Sequence, residues 1–397
     1  MVSQRRDAAI VGIHEYPLRK APGVTPLQIK AESAARALAD AGLSWKDVDG
    51  LYDAQDGAGM SGLSLSEYFG FKPNVLDTTA VGGSSYEFQA AHAHRAIAAG
   101  KCRVALLTYG STAASGMVHI GTGGRESAGA PSPQGNMTEA WGATLIANYA
   151  MVAHRHMHQY GTTSEHLARI SVATRAHAMR NPQAVKGMTD LLFENIREIT
   201  VDDVLNSRMV ADPLHLLDCC MVSDGGGAVV IASPEVARDC KQKPVWIIGT
   251  GEATKYVEND GDITVSAAVQ SAPPAFGEAG VHPGEIDIAM IYDSFTITVL
   301  CLLEDLGFCK KGEGGQFVSE DRLHFQSKLR PHINTDGGGL SSNHPGMRGI
   351  FLLIEAARQL RGQSTSQVEG AKLAVAHGNG GQLGGTHTGG TIILARD

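Results

Sequence analysis

The chain repeats itself, and this internal repeat constrains its fold more than any other feature. Residues 40–53 read DAGLSWKDVDGLYD, and residues 278–293 read EAGVHPGEIDIAMIYD. Each half contains a strand, a helix, a second strand that ends in Tyr-Asp, a glycine turn with a helix, and a third strand. Alternating strands and helices predict an α/β protein with mostly parallel sheets and helices on their faces. Two such halves predict a sandwich of five layers, αβαβα.

The repeat also divides the chain into domains. We expect residues 1–110 and 213–243 to form the first half and residues 244–397 to form the second. Residues 111–212 have no counterpart in the second half, and we expect them to form an inserted loop domain that covers the site. The insertion contains a Gly/Ser/Pro-rich stretch at 115–135. It also contains His154, His156 and His158, whose spacing puts only two imidazoles on one helix face, so we predict no metal site.

Composition excludes several classes of protein. With 43% hydrophobic and 19% charged residues, the 397-residue chain is expected to bury a large core. The net charge of −8 argues against nucleic-acid binding but leaves a local basic patch for a phosphorylated ligand open. The N-terminus resembles no signal peptide, and no apolar run approaches the roughly 20 residues that span a bilayer. Six cysteines without CxxC spacing are interpreted as reduced thiols, so we expect a cytoplasmic protein.

A glycine-rich stretch at residues 333–349, INTDGGGLSSNHPGMRG, leads into a predicted helix that ends at Gly362. His344 precedes Pro345, a residue suited to the first turn of a helix, so the imidazole is expected at the mouth of that helix. At such a place it suits acid–base or oxyanion chemistry, or it caps and packs the helix start.

Other polar or glycine-rich positions are expected beside this turn. The GGSS turn at residues 82–85 occupies the equivalent position in the first half. Ligands of open α/β sheets collect at the carboxyl ends of the strands. The strands that end at Tyr292 and His377 should therefore meet both turns at one edge.

The duplicated halves, the segment LLDCCMVSDGGGAVVI at 216–231, the NHPGMRG turn and the last glycine loop together resemble the thiolase superfamily over essentially the whole chain. The similarity is greatest to sterol-carrier-type thiolases and thiolase-like lipid-transfer proteins, which include bacterial steroid side-chain aldolases. This resemblance implies the thiolase fold and an acyl-CoA substrate from lipid or steroid metabolism. It implies no cofactor, since coenzyme A is part of the substrate. It also implies a homodimer that pairs through an edge strand at residues 102–111, and a small zinc-ribbon/OB-fold partner protein.

The catalytic positions depart from the thiolase pattern. A thiolase carries its nucleophilic cysteine at the N-terminus of the buried helix in its first half, and that position falls at Gly83. Residues 1–101 contain no cysteine. Ser84 or Ser85 could replace the nucleophile, although no base is visible beside them. Alternatively, they are small turn residues or offer main-chain N–H groups to a thioester oxygen.

Three side chains are the candidate catalytic groups. His344 matches the histidine that helps form an oxyanion hole in thiolases. Tyr292 matches the acid–base tyrosine in the Tyr-Asp-x-Phe motif of the aldolases, although their second tyrosine corresponds here to Asn343. His377 begins the loop that replaces the second thiolase cysteine, as a base or as a packing residue. We expect the substrate-binding residues to be Gly83, Ser84, Ser85, Asp293, Asn343 and Gly380.

The resemblance therefore implies carbon–carbon bond cleavage or formation in a CoA thioester, by a retro-aldol reaction without a cysteine acyl-enzyme. Tyr292 would act as acid–base, and His344 with the main chain at Gly83 would hold the enolate oxygen. Because the reference pKa of tyrosine is about 10, His344 or His377 would relay the proton. The alternatives are a thiolase-type acyl-CoA acyltransferase that uses Ser84 or Ser85, and a non-catalytic acyl-CoA-binding subunit.

Overall fold

A computed structural model describes residues 6–54, 62–116, 144–255, 261–319 and 321–397. Most of the Gly/Ser/Pro-rich stretch at 115–135 lies outside these residues. The strands are β1 (Ala9–Glu15), β2 (Gly50–Asp53), β3 (Val75–Asp77), β4 (Val104–Ser111), β5 (Met209–Ala211), β6 (Leu214–His215), β7 (Gly225–Ala232), β8 (Val245–Lys255), β9 (Ile288–Ile291), β10 (His332–Ile333), β11 (Leu373–Gly381) and β12 (His387–Ala395).

The helices are distributed over both halves and the insertion. They are α1 (Pro26–Ala41), α2 (Gly62–Phe69), α3 (Ser85–Ala98), α4 (Leu145–Tyr160), α5 (Ser164–Ala178), α6 (Pro182–Asp190), α7 (Val201–Leu205), α8 (Pro234–Asp239), α9 (Ala268–Ala279), α10 (Thr296–Asp305), α11 (Gly314–Phe317), α12 (Gly338–Ser341) and α13 (Gly349–Arg361). Within the described ranges, no helix is both long and apolar enough to cross a membrane.

The two halves have the same sheet topology, which confirms the duplicated α/β fold. The first half has the strand order β3-β2-β4-β7-β1, and the second has the corresponding order β10-β9-β11-β12-β8. In each half the first three of these strands are mutually parallel and the last two run antiparallel to their neighbours, so the expectation of mostly parallel sheets is wrong and the sheets are mixed. A short antiparallel contact between β1 and β8 joins the halves into one ten-stranded sheet.

The helices form three layers around the two half-sheets. On the outer faces, α1 packs against β1, β4 and β7, and α9 packs against β8 and β12. Helices α3 and α13 lie between the half-sheets, because each contacts strands of both halves. The central layer is therefore buried on all sides, and it brings the N-terminal turns of α3 and α13 to the middle of the molecule.

Local sequence signals set several helix ends as predicted. Helix α1 begins after Thr25, whose Oγ1 accepts a hydrogen bond from the main-chain N–H of Gln28 at 3.2 Å. It ends at Gly42, where φ is 77°, a left-handed conformation that glycine adopts without a steric penalty. Helix α13 likewise ends at Gly362, with φ of 75°.

Two expectations about these elements are wrong. Helix α13 begins at Gly349, where the predicted helix starts, but Pro345 lies in the preceding turn and not in the first turn of the helix as expected. Strand β4 is not an edge strand, because it pairs with β2 on one side and β7 on the other, which leaves β3 at the edge of the first half. Because both of its edges are hydrogen-bonded within the chain, β4 cannot extend the sheet into a second chain.

The region between the halves supplies helices that pack beside the carboxyl ends of the parallel strands. Helix α4 contacts α10, while α5 contacts α10 and α12.

The histidines of α4 point in different directions. His156 is buried and bonds to Thr162 at 2.8 Å and to Glu304 at 3.0 Å, whereas His154 lies 3.1 Å from Asp212 at the surface. The part of the chain that the structure describes contains no group of three side chains that could hold a metal ion.

Candidate active site

Gly83 lies directly against the ring of Tyr292. A Cβ atom built on Gly83 would come well under 3.0 Å from Cε2 and Cζ of Tyr292 and from the carbonyl oxygen of Asn379. Real Cβ atoms essentially never approach other heavy atoms so closely, so no side chain fits at residue 83. The turn before α3 and the end of β9, which lie about 200 residues apart in sequence, therefore meet in one place.

Tyr292 is a neutral phenol in a buried environment. Only 4% of the residue is exposed, and its hydroxyl donates a hydrogen bond to the main-chain carbonyl of Gly346 at 3.3 Å. Burial, reinforced by the nearby Cys220, raises the pKa of Tyr292 well above its usual value of 10. The phenol can therefore donate a proton or a hydrogen bond, but the site does nothing to make it a base at neutral pH.

His344 stands perpendicular to Tyr292, with 5.6 Å between ring centroids and an interplanar angle of 87°. Its main-chain N–H donates to Ser223 Oγ at 3.0 Å, which anchors the turn. The imidazole is buried, and neither ring nitrogen has a hydrogen-bond partner among the described residues. Burial and the neighbouring Arg348 lower the pKa of His344 to about 4. At neutral pH it therefore offers one N–H donor and one acceptor nitrogen to a ligand.

A cavity of about 80 Å³ opens beside His344. Its walls are mainly apolar and include Leu145 from α4, Val210 from β5 and Phe295 from the segment that follows β9. An exposed cation, Arg208, lies at the same cavity. Because an apolar lining with few polar groups is typical of ligand sites, this cavity is the candidate place for an acyl group.

Two cysteines, Cys219 and Cys220, also line this cavity, and the sequence did not assign them to the site. The main-chain N–H of Cys220 donates to the carbonyl of Ser294 at 2.9 Å, next to Tyr292. Burial raises the pKa of both thiols, so neither is an activated thiolate. A signal existed: the residues before β7 must lie where β4 ends, because the two strands are antiparallel.

Asp293 and Asn343 form part of a buried polar network and do not point freely into the cavity. The guanidinium of Arg348 lies 3.0 Å from Asp293 Oδ1 and makes two 2.7 Å bonds to Asp336. Asn343 accepts a 2.6 Å bond from Arg348 and donates a 2.7 Å bond to Glu15. Burial raises the pKa of Asp293 to about 6, against the opposing effect of Arg348. The network therefore fixes the turn that carries His344.

The serine hydroxyls beside Gly83 are engaged in local hydrogen bonds. Ser85 Oγ donates to the carbonyl of Gly82 at 2.6 Å, and Ser84 Oγ lies 2.7 Å from Thr388 Oγ1. Within the described part of the chain, no histidine nitrogen bonds to either hydroxyl. A serine nucleophile needs such a base, so the geometry favours a role in building the turn.

His377 lies on the outer face of its half-sheet, away from the central layer of α3 and α13. Its Nδ1 is 2.9 Å from Thr391 Oγ1, and Thr391 in turn bonds to Ser271 of the outer helix α9 at 2.8 Å. Burial lowers the pKa of His377 to about 3. Gly380 faces the central layer instead, where a Cβ would come well under 3.0 Å from the carbonyl of Val81. The structure thus brings Gly380 to the candidate site, but not the imidazole of His377.

A buried carboxyl group, Glu87, lies one helical turn after Gly83. It is 0% exposed, and neither oxygen has a partner in the described chain beyond its own main-chain N–H. Cβ atoms at Gly349, Gly378 and Gly390 would each come well under 3.0 Å from this side chain, so three glycines make room for it. Burial raises its pKa well above the usual value of 4.5, which favours the protonated form. Nothing in the sequence singled out this residue.

Comparison with known proteins agrees with this fold. The family described as Thiolase C-terminal domain-like matches residues 249–396. An acetyl-CoA acetyltransferase from Methanothermobacter thermautotrophicus is 32% identical over 96% of this chain and 98% of its own length. A steroid side-chain-cleaving aldolase from Thermomonospora curvata is 34% identical over 91% of this chain and 92% of its own length.

A solved structure is also similar over nearly the whole chain. It is the structure named "Ltp2-ChsH2(DUF35) aldolase", which superposes with a TM-score of 0.86 and 31% sequence identity. The superposition covers 99% of both chains. Similarity of this extent includes both halves and the residues between them.

Proposed function

This chain belongs to the sterol-carrier-type branch of the thiolase superfamily, and we propose that it cleaves a carbon–carbon bond in a CoA thioester by a retro-aldol reaction. The observation that carries this proposal is the contact between Gly83 and the ring of Tyr292. No side chain fits at residue 83, so the helix start cannot offer a thiol, and a neutral phenol lies there instead. The similar aldolases support the same chemistry.

In the retro-aldol direction, the substrate is a β-hydroxyacyl-CoA. The bond between the α- and β-carbons breaks, the β-hydroxyl becomes a carbonyl, and the electron pair moves into a thioester enolate. The hydroxyl loses one proton and the α-carbon gains one, so protons balance and no redox cofactor is needed. The products are an aldehyde or ketone and a shortened acyl-CoA.

Tyr292 and His344 are placed for complementary parts of this reaction. The neutral imidazole N–H of His344 would donate a hydrogen bond to the thioester oxygen as it gains charge, and one such donor contributes about 3–4 kcal/mol to catalysis. The acceptor nitrogen of His344 would take the proton of the β-hydroxyl as the carbon–carbon bond breaks, the phenol of Tyr292 would give its proton to the α-carbon of the enolate, and the proton on His344 would then return to the phenolate. Because both groups are buried, water does not weaken these interactions.

A thiolase-type acyl transfer is the second candidate function. It is favoured by the similar acetyl-CoA acetyltransferase and by the presence of Cys219 and Cys220 in the cavity beside His344. In that reaction a thiolate attacks the thioester carbonyl, coenzyme A leaves as the thiolate, and the acyl group stays on sulfur. The raised pKa of both thiols makes this route the weaker of the two.

One product analysis separates these functions. The protein is mixed with a β-hydroxyacyl-CoA that carries a steroid side chain, without free coenzyme A, and thioesters are followed by liquid chromatography and mass spectrometry. A retro-aldolase releases a ketone and a shortened acyl-CoA, and the intact protein keeps its mass. An acyltransferase instead releases free coenzyme A, and the protein gains the mass of the acyl group. If the substrate binds but neither product forms, the chain is an acyl-CoA-binding subunit.

We further propose that the chain works with other protein chains. The similar aldolase structure has a name that joins two proteins, which supports a small zinc-ribbon/OB-fold partner for this chain. A homodimer is also proposed, formed through a surface other than β4. Light scattering on the purified chain, alone and co-expressed with a candidate partner, measures the mass of the assembly. The mass of a single chain in the first sample contradicts the homodimer, and the same mass in the second contradicts the partner complex.

A further inference from the structure

A second cavity lies at the edge of the second half, away from the candidate active site. Its volume is about 340 Å³, and it opens between the C-terminus of α5, strand β10 and the loop that follows α13. Its polar lining includes His177, Arg180, Lys328, Arg330 and Ser366. None of the residues that line it also lines the cavity at His344.

Cations predominate around this cavity. The guanidinium of Arg180 lies over the ring of Phe325, 4.5 Å from its centroid, which holds it in a fixed direction. Neither Arg180 nor Lys328 forms an ion pair with any described carboxylate. Arg330 is paired with Asp287, and one exposed carboxylate, Glu369, also lines the cavity. Two unpaired cations therefore outweigh one carboxylate.

A buried histidine supplies an independent indication of a ligand. His177 is 1% exposed and lines the cavity, and its Nδ1 lies 2.7 Å from Ser366 Oγ. Its Nε2 has no hydrogen-bond partner in the described chain. Buried polar atoms in folded proteins are nearly always paired with protein, water or a ligand, so an orphaned nitrogen beside a cationic cavity suggests that the partner is a bound molecule.

We propose that this cavity binds a small organic molecule through a phosphate ester. Arginine and lysine are the side chains that bind phosphate most often, and the imidazole and hydroxyl groups add neutral hydrogen bonds. The volume falls within the usual range for small-molecule sites, so the cavity has room for a ligand larger than inorganic phosphate. The phosphate ester belongs either to the coenzyme A part of the substrate, a source that rests on the proposed function, or to a separate phosphorylated compound.

Equilibrium binding tests the site directly. Isothermal titration calorimetry measures adenosine 3′,5′-bisphosphate against the full-length protein and against the double variant Arg180→Ala with Lys328→Ala. We expect binding that the double variant weakens at least roughly tenfold, because each removed cation contributes a charge-assisted hydrogen bond. The control is Lys46→Ala with Lys101→Ala, which removes two exposed lysines of the first half and should leave binding unchanged.

Further arms identify the source of the phosphate and keep the test independent of the reaction. Saturation with an acyl-CoA displaces the bisphosphate if the substrate supplies the phosphate, and leaves it bound if the ligand is a separate compound. The single variant Arg180→Ala should show the same direction of change while its thermal unfolding matches the unmodified protein. Equal affinity in the unmodified protein and the double variant, or no binding of the bisphosphate, overturns the proposal whatever the catalytic activity.

Discussion

The ring of Tyr292 occupies the space that a side chain at Gly83 would need. The two residues belong to different halves of the duplicated fold, and the central layer of α3 and α13 brings them together. The space beside residue 83 is thus filled by the aromatic ring of the residue that follows β9. The ring can lie there only because residue 83 is glycine.

This contact predicts that a larger residue at position 83 cannot be accommodated. Gly83→Ala should lower the free energy of unfolding by about 1–3 kcal/mol, the usual cost of overpacking, because its Cβ collides with Tyr292. Gly83→Cys should be at least as destabilised and should not create acyl transfer. Urea denaturation measures the free energy of unfolding of both variants.

Two further variants control this experiment. Gly277→Ala adds the same methyl group in α9, where nothing lies within 4 Å, and should be neutral or stabilising by up to about 1 kcal/mol. The double variant Gly83→Ala with Tyr292→Ala should be more stable than the sum of the two single changes predicts, because the collision with the ring is gone and only the one with the Asn379 carbonyl remains. Simple additivity would show that the two residues are not in contact.

The hydroxyl of Tyr292 should matter for catalysis more than for folding. Tyr292→Phe retains the ring beside Gly83 but removes the proton donor, so we expect turnover to fall about 10²–10⁴-fold. Stability should change by no more than about 1.5 kcal/mol, since one 3.3 Å hydrogen bond is lost. Initial rates on a β-hydroxyacyl-CoA and thermal unfolding give the two readouts. Tyr160→Phe serves as the matched control, and unchanged turnover in Tyr292→Phe excludes the residue from the reaction.

Arg348 should be the most destabilising of the polar residues to remove. Its guanidinium is fully buried between Asp293 and Asp336, so Arg348→Met leaves uncompensated carboxyl groups in the core. The expected loss is about 3–5 kcal/mol of unfolding free energy. Arg36→Met breaks the exposed pair with Glu32 and should cost no more than about 1 kcal/mol in the same denaturation assay. Similar values for the two variants would contradict a structural role for the buried network.

The pH dependence of stability should reveal His377 as a packing residue. Its pKa is lowered from 6.5 to about 3 by burial, so the unfolded chain binds a proton at His377 that the folded chain does not. The stability that this pKa difference gives to the folded protein is fully present above pH 6.5 and is lost as the pH falls from 6.5 towards 3. Relative to His377→Gln, the unmodified protein should therefore lose about 1.4 kcal/mol per pH unit below pH 6.5.

The same variant decides whether His377 takes part in the reaction. Because the imidazole faces α9, His377→Gln should leave turnover and its pH profile unchanged between pH 6.5 and 8. Urea titrations at pH 7.5, 6.5 and 5.5 supply the stability comparison. A fall in turnover at unchanged stability would show instead that His377 relays a proton.

The sequence alone determined the overall architecture. The repeat at residues 40–53 and 278–293, with its strand and helix periodicity, was sufficient to predict two α/β halves, and the observed strand orders match. Helix ends at Gly42 and Gly362 were equally predictable, because a left-handed glycine is a local feature. The sequence also showed that residue 83 is glycine and that residues 1–101 contain no cysteine.

The tertiary structure alone decided how the site is built. The apolar residues of β11 are buried on both faces, so nothing in its pattern tells that His377 faces α9 while Gly380 faces α3. The partners of Asp293 and Asn343 are equally hidden, as are the three glycines around Glu87. The periodicity of the sequence indicates only which helix or strand a residue belongs to. The surroundings of a buried polar group depend on strand register and on helices packed from distant parts of the chain, which become fixed only when the two halves come together.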